Sequence, residues 1–221
     1  MKKILSKQII KFNGKDTLLE VMADTFNIGM VRIHMHKYDE SKEKGNRVIA
    51  EVDTYVSIDE MRVLCHDILS GRIVGLIENK RKANKEAVAK GQKADLYYTA
   101  WQDIGGVSAK KLEERQKKAL EKGKKLQELS ISNRVREDKM SLARVIKIGL
   151  SSKEGYVAFT SECGAGEENK QGLIVARYGV KPDSRVLVPV SYQDLKKFAL
   201  AVSANIQAYE TAQYTNGAYL V

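Results

Sequence analysis

The chain has 221 residues, with 38 Lys and Arg against 28 Asp and Glu, a formal net charge of +10. At 43% hydrophobic and 30% charged, with two prolines, it is neither disordered nor collagen-like and has the length of one large domain or two small ones. The longest apolar stretch, Phe198 to Tyr209, is bounded by Lys197 and Glu210, which excludes a helical membrane span. Lys7 and Lys11 interrupt the apolar start Met1-Lys2-Lys3-Ile4-Leu5, so no secretory leader is expected. Cys65 and Cys163 are too few and too far apart for a disulfide framework or a four-ligand zinc site, and the expected compartment is the reducing cytoplasm.

In chain order, apolar runs at Ile4–Phe12, Leu18–Met22, Ile28–Met35 and Val48–Val56 alternate with turn residues such as Asn13-Gly14 and Gly45-Asn46 and predict four strands. On the last of them Val48, Ala50, Val52 and Thr54 share one face. Ser57, with Glu60 three residues on, is a capping box that opens a helix. Met61, Leu64, Cys65 and Ile68 form the stripe of a helix packed on a sheet, ending at Gly71 or Gly75.

Residues 80–93 combine Lys and Ala and predict helix, and a second helical stretch runs from the cap Ser108 to about Leu129. Leu112, Ala119 and Leu126 make a thin apolar stripe there, so this stretch is expected to be exposed and ordered by a partner. Between the two lie Tyr97, Tyr98 and Trp101, followed by Gly105-Gly106, read as a turn or hinge. No Lys-Ser/Thr follows at phosphate-loop spacing.

Strands are predicted again at Leu142–Leu150, Tyr156–Thr160, Leu173–Tyr178 and Val186–Val190, with Gly164, Gly166, Gly172 and Gly179 among the turn punctuation. Ser191 then caps a helix, with Asp194 in the place of Glu60 and Leu195, Phe198, Ala199 and Val202 as its stripe. Val56-Ser57-x-x-Glu60-Met61-Arg62 aligns with Val190-Ser191-x-x-Asp194-Leu195-Lys196 at a constant offset, the mark of an internal duplication.

The expected fold is therefore α+β: two β-β-β-β-α repeats, antiparallel sheets packed on helices, over 1–79 and 141–221, separated by a basic and largely helical insert over 80–140. A β-β-β-β-α unit occurring twice resembles the whirly and PC4-like family of single-strand binding proteins, over 1–79 and 141–215. The resemblance implies helix-to-helix pairing of the two units and curved sheets that carry single-stranded DNA or RNA. Lys122-Gly123-Lys124-Lys125-Leu126 is superficially similar to the Lys-Gly-Lys-Ala-Ala-Leu motif of plant whirly proteins. It lies in a helix-like Lys/Glu stretch instead of a strand, so that motif's role is not carried over.

Charge is segregated. Residues 1–79 hold 12 basic and 12 acidic side chains, 148–221 hold 7 and 7, and 80–147 hold 19 and 9, so the whole excess lies in the middle. Clustered cations are the footprint of a polyanion binder, and neighbouring aromatics suit unpaired bases. The expected phosphate contacts are Arg32, Lys37 and Arg177 outside the middle segment, with Lys80, Arg81, Lys82, Lys85, Lys110 and Lys111 within it. Arg115, Lys117, Lys118, Lys122, Lys124, Lys125, Arg134, Arg136, Arg144 and Lys147 complete the set. Tyr97, Tyr98 and Trp101 are the expected stacking residues, or else anchors of the insert on the core.

Ile33-His34-Met35-His36 sits on the third predicted strand, with Arg32, His34 and His36 on one face. His-hydrophobe-His on a strand resembles the metal-binding element of HUH endonucleases, in which two imidazoles hold a divalent ion and a Tyr attacks the phosphate. Tyr97 or Tyr98 lies downstream, as in replication initiators, and the relaxase order is excluded because Tyr38 is the earliest tyrosine. The leading reading is a non-enzymatic, cytoplasmic single-stranded nucleic-acid binder without a cofactor, preferring DNA, with RNA and a homo-oligomer open. The alternatives are a nickase using His34 and His36, a duplex-binding plasmid or phage regulator, and a protein-interaction inhibitor.

Overall fold

The computed structural model describes residues 7–43, 45–129, 134–215 and 217. Strands β1 (Gln8–Asn13), β2 (Thr17–Met22), β3 (Met30–Tyr38) and β4 (Val48–Ser57) form an antiparallel meander in that order. The beginning of the first predicted strand, Ile4 to Ser6, lies outside the described residues. Alternation decides the two faces of this sheet. Leu19, Val21, Val31, Ile33, Met35, Val52 and Val56 point into the core, while the intervening Arg32, His34 and His36 are only half-buried.

Helix α1 (Ile58–Leu69) follows β4 without a loop, because Ser57 Oγ accepts the Glu60 N–H at 3.1 Å and so satisfies one of the free donors of the first turn. The Glu60 carboxylate does not complete the reciprocal box; it accepts the indole N–H of Trp101 at 3.1 Å. Met61, Leu64, Cys65 and Ile68 are buried, as their spacing predicts. Gly71, at φ +81°, ends the helix in the left-handed region, and α2 (Arg72–Ala89) starts immediately. The Lys/Ala helix expected at 80–93 is thus the second half of a helix that begins at Arg72, anchored by buried Ile73 and Ile77.

The second sheet runs β5 (Thr99–Val107), β6 (Ser141–Leu150), β7 (Tyr156–Glu168), with β8 (Ile174–Ala176) and β9 (Ser184–Ser191) both pairing with β7. All its pairings are antiparallel. Helix α3 (Ala109–Glu121) is inserted between β5 and β6, and α4 (Tyr192–Thr215) closes the chain. Ser191 Oγ accepts the Asp194 N–H at 3.1 Å, repeating the Ser57 cap, and Leu195, Phe198, Ala199, Val202 and Ile206 are buried. The architecture is α+β with two antiparallel sheets and four α-helices among the described residues.

The stretch expected as a helical insert supplies the edge strand β5 of the second sheet, so this sheet has five strands where four were expected. Gly105-Gly106 hid it: read as a hinge, they lie inside β5. A side chain at Gly106 or Gly166 would collide with Ile174 of β8, which leans over both. Gly164 and Gly166, read as turn residues, are likewise interior to β7, which therefore runs past Thr160 to Glu168. The helix from Ser108 stops at Glu121, not near Leu129, because Gly123 adopts φ +79° and only a 3-10 turn follows at Leu126–Glu128.

The two sheets and the helices share one core. Met35 of β3 accepts the Ser161 hydroxyl of β7 at 3.0 Å, Phe159 and Phe198 rings meet at 5.5 Å, and Ser184 of β9 donates to the Glu51 carbonyl at 3.2 Å. Fully burying a Phe contributes about 1.5–3 kcal/mol, and Phe198→Ala would cost about 3–5 kcal/mol once its cavity is counted.

Candidate nucleic-acid interface

The cations expected to meet phosphate fall into three groups. On α2 and the strands, most already have partners. Lys80 pairs with Asp95 at 2.8 Å and lies 5.4 Å from the Tyr98 ring centre; Lys85 pairs with Glu154 at 2.7 Å. Arg81 is half-buried, with Glu78 at 3.4 Å and the Lys153 and Tyr156 carbonyls at 3.3 and 3.4 Å. Lys37 meets Asp16, Lys147 meets Glu162, and Arg136 meets Asp138 and Asp183. Arg134 donates to the Leu129 carbonyl, and exposed Arg177 points at Met140. Lys82 is exposed.

Helix α3 and the turn after it form the second group. Lys110, Lys111, Arg115, Lys117, Lys118, Lys122, Lys124 and Lys125 are all exposed, and among the described residues no carboxylate oxygen lies within 4.0 Å of their side-chain nitrogens, the Glu128 carboxylate accepting only the backbone N–H of Lys125. The expected exposure of this helix holds apart from one anchor, Leu112, which is fully buried. Because Lys111, Arg115 and Ala119 recur at i, i+4 and i+8, they share one face, and that face lines a cleft.

The cleft has a volume of about 900 Å³ and lies between the two sheets' ends. Lys111, Arg115 and Lys124 form one wall; Asp103 to Val107 of β5 form another; Met30 and Tyr55 come from the first sheet, Ile28 from the 3-10 turn before β3, and Leu173 and Ile174 from the β7–β8 hairpin. Ile28, Ile104 and Leu173 are exposed apolar side chains, so the cleft joins apolar surface to cations. Arg144, only 6% exposed, packs its guanidinium 5.2 Å from the centre of the Tyr55 ring. Burial pushes its pKa down and pushes the Tyr55 hydroxyl up. A groove with one cationic wall, apolar sides and an aromatic floor can hold phosphates on one side and unpaired bases on the other.

Of the aromatics named from sequence, Trp101 packs against the core with its N–H on Glu60, and Tyr98 is half-buried beneath Lys80. Tyr97 is 86% exposed and lies beyond the other end of β5 from α3. Sequence reasoning missed Tyr55, Ile104 and Leu173. Tyr55 was findable: it follows Glu51 and Asp53 on the polar parity of β4, where an aromatic has no core to fill.

The third group is the polar face of the first sheet. Arg32 bridges Asp24 at 2.7 Å and Asp53 at 3.0 Å; His34 Nδ1 lies 3.0 Å from Asp53, and His36 Nδ1 lies 3.2 Å from His34 Nε2. The Asp24 hydrogen bond, with Asp53 behind it, raises the Arg32 pKa. Burial opposes charge on Asp53, yet His34 and Arg32 hold its pKa below the usual carboxylate value. Asp53 raises the His34 pKa, whereas burial and the neighbouring His34 lower that of His36. The predicted face is correct, but the two imidazoles turn toward each other. Among the described residues, the three side chains whose ligand atoms all lie within 4.8 Å of one another are His34, Glu51 and Asp53; His36 is not one of them. Both ring nitrogens of His34 are already engaged in this network, and Asp53 is engaged by Arg32.

No described helix is long and apolar enough to cross a membrane. No protein-family model and no curated protein matches the chain. Among solved structures the chain is similar to that of the plant transcriptional regulator PBF-2, at 10% identity and a TM-score of 0.40, over 93% of this chain and 85% of that one.

Proposed function

We propose that the chain is a non-enzymatic, cytoplasmic single-stranded nucleic-acid-binding protein, with DNA as the preferred strand, acting in replication, recombination or transfer. The observation that supports this reading is the unpaired cationic face of α3 lining a cleft whose remaining walls are apolar and aromatic. Phosphates release counterions on meeting Lys111, Arg115 and Lys124, and unpaired bases stack where a paired duplex exposes no face. The half-buried polar network around His34 favours binding over nicking, because a metal there would have to break ties that Arg32 and His36 already make.

Fluorescence anisotropy of labelled single-stranded DNA, duplex DNA and RNA at two salt concentrations tests the proposal. Single-stranded DNA should bind most tightly, with a steep salt dependence. The Lys111→Ala/Arg115→Ala variant should flatten the log-log slope by about 1.4, because each phosphate left without its cation takes roughly 0.7 from the slope. A duplex bound more tightly than either single strand would support the regulator reading instead. Magnesium- or manganese-dependent cleavage that disappears in His34→Ala would support the nickase.

A further inference from the structure

Asp103 stands out in a cleft proposed to hold a polyanion, because it is an acid on a wall of that cleft. It lies on β5 beside Gly105, half-buried, and among the described residues no cation comes within 4.0 Å of its carboxylate. Burial raises its pKa, opposed by the backbone N–H of Ile104 and reinforced by the charge of Glu60. A carboxylate so placed repels phosphate and favours N–H donors on whatever group meets it. Gly105, two residues on and therefore on the same side of β5, leaves open space: a Cβ built there would meet nothing within 4 Å. Ile146, opposite Asp103 on β6, and Tyr55, whose ring carries the guanidinium of Arg144 opposite Gly105, line the same cleft beside this space.

We propose that this corner is a guanine subsite, in which Asp103 accepts the N1–H and the 2-amino N–H of one unpaired guanine lying over Gly105. Guanine is the one base that presents two adjacent donors on its Watson–Crick edge, matching the two oxygens of a carboxylate. Adenine and cytosine offer one amino group beside an acceptor that Asp103 would repel, and thymine offers an imide N–H between two carbonyls. The chain then tolerates most sequences through the α3 phosphate contacts while preferring guanine at one position. This inference rests on the single-strand reading and narrows it.

The test measures anisotropy with three short strands: oligothymidine, the same strand with one central guanine, and the same strand with hypoxanthine, which lacks the 2-amino group, in its place. The wild-type chain should bind the guanine strand roughly tenfold more tightly than oligothymidine, the scale of one good bidentate base contact. Hypoxanthine should fall between the two. Asp103→Asn should bring guanine and thymine within about twofold of each other without weakening oligothymidine, because that change removes a negative charge from the cleft. Gly105→Val, at a position with no positive φ and no near neighbour, should abolish the guanine preference with the melting temperature preserved. Equal wild-type affinity for all three strands overturns the subsite but leaves the single-strand reading standing. Failure to bind any strand at low salt overturns that reading itself. Equal loss of all three strands in a folded Asp103→Asn variant also overturns the subsite.

Discussion

On α2, Lys80, Arg81 and Lys85 each meet an acid or a carbonyl, whereas on α3 Lys110, Lys111, Arg115, Lys117 and Lys118 meet no acid within 4.0 Å among the described residues. The two helices read alike in sequence, as Lys-rich stretches with few apolar positions. What separates them is where they pack. Helix α2 lies against β5 and β6, and the loop after β6 and the loop before β5 bring Glu154 and Asp95 to its cations. Helix α3 touches the fold chiefly through Leu112 and leaves the rest of its surface to solvent and the cleft. Cations tied to acids leave little net field for a phosphate, so the charge that matters is a subset of the charge that can be counted.

Removing α3 charge should have the largest effect on this contrast. Lys111→Ala/Arg115→Ala should lower single-strand affinity by about 10- to 100-fold at low salt, while Lys80→Ala/Lys85→Ala should change it by less than about threefold. Similar losses from both double variants, read by anisotropy, would erase the distinction between the helices. Next comes the cleft floor. Tyr55→Leu should cost about 1–3 kcal/mol of binding through lost stacking, and calorimetric unfolding of the same variant separates that loss from any destabilisation through Arg144.

Trp101 sharpens the contrast from the other side. Trp101→Ala should lower stability by about 3–5 kcal/mol and leave the affinity of the folded protein unchanged. The milder Trp101→Phe, which removes the Glu60 hydrogen bond, should cost about 1 kcal/mol in denaturant unfolding. A folded Trp101→Phe protein with reduced affinity would return this residue to the interface.

The smallest expected effect concerns pH. The folded pKa of His34 is raised above its ordinary 6.5, so its contribution is full below that value and is lost as pH rises through the folded pKa. That of Asp53 is depressed below 3.8, so its contribution is full above that value and is lost as pH falls through the folded pKa. Their pairing therefore stabilises most between those limits. His36 works against His34 near neutrality, because its depressed pKa makes stability fall as pH drops below 6.5. His34→Gln should cost about 1 kcal/mol at pH 5.5 and less at pH 8. Thermal unfolding at the two pH values, with an equal or larger cost at pH 8, would refute this assignment.

Much of the first sheet was legible from residue order alone. Alternation on β3 placed Arg32, His34 and His36 opposite Ile33 and Met35, and the Ser57 and Ser191 caps located α1 and α4, because both signals are local: a two-residue period and a hydrogen bond three residues long. Strand β5 was not legible. Its Gly105-Gly106 pair lacks any local strand propensity, and the reason for it, the approach of Ile174 over Gly106, comes from a residue far along the chain. The cleft was illegible for the same reason, since Tyr55, Asp103, Arg115 and Leu173 are neighbours only after both sheets have closed.

By itself, the sequence determined the α+β class, the two capped helices, the two faces of β3 and the confinement of all the excess charge to the middle of the chain. Each follows from periodicity, capping or composition, which a chain carries before it folds. Only the tertiary structure decided that this middle segment completes the second sheet, which of its described lysines are tied to acids, and that Trp101 packs against the core while Tyr55 faces a cleft. Those outcomes depend on distances between residues remote in the chain, and electrostatic and packing energies are set by such distances.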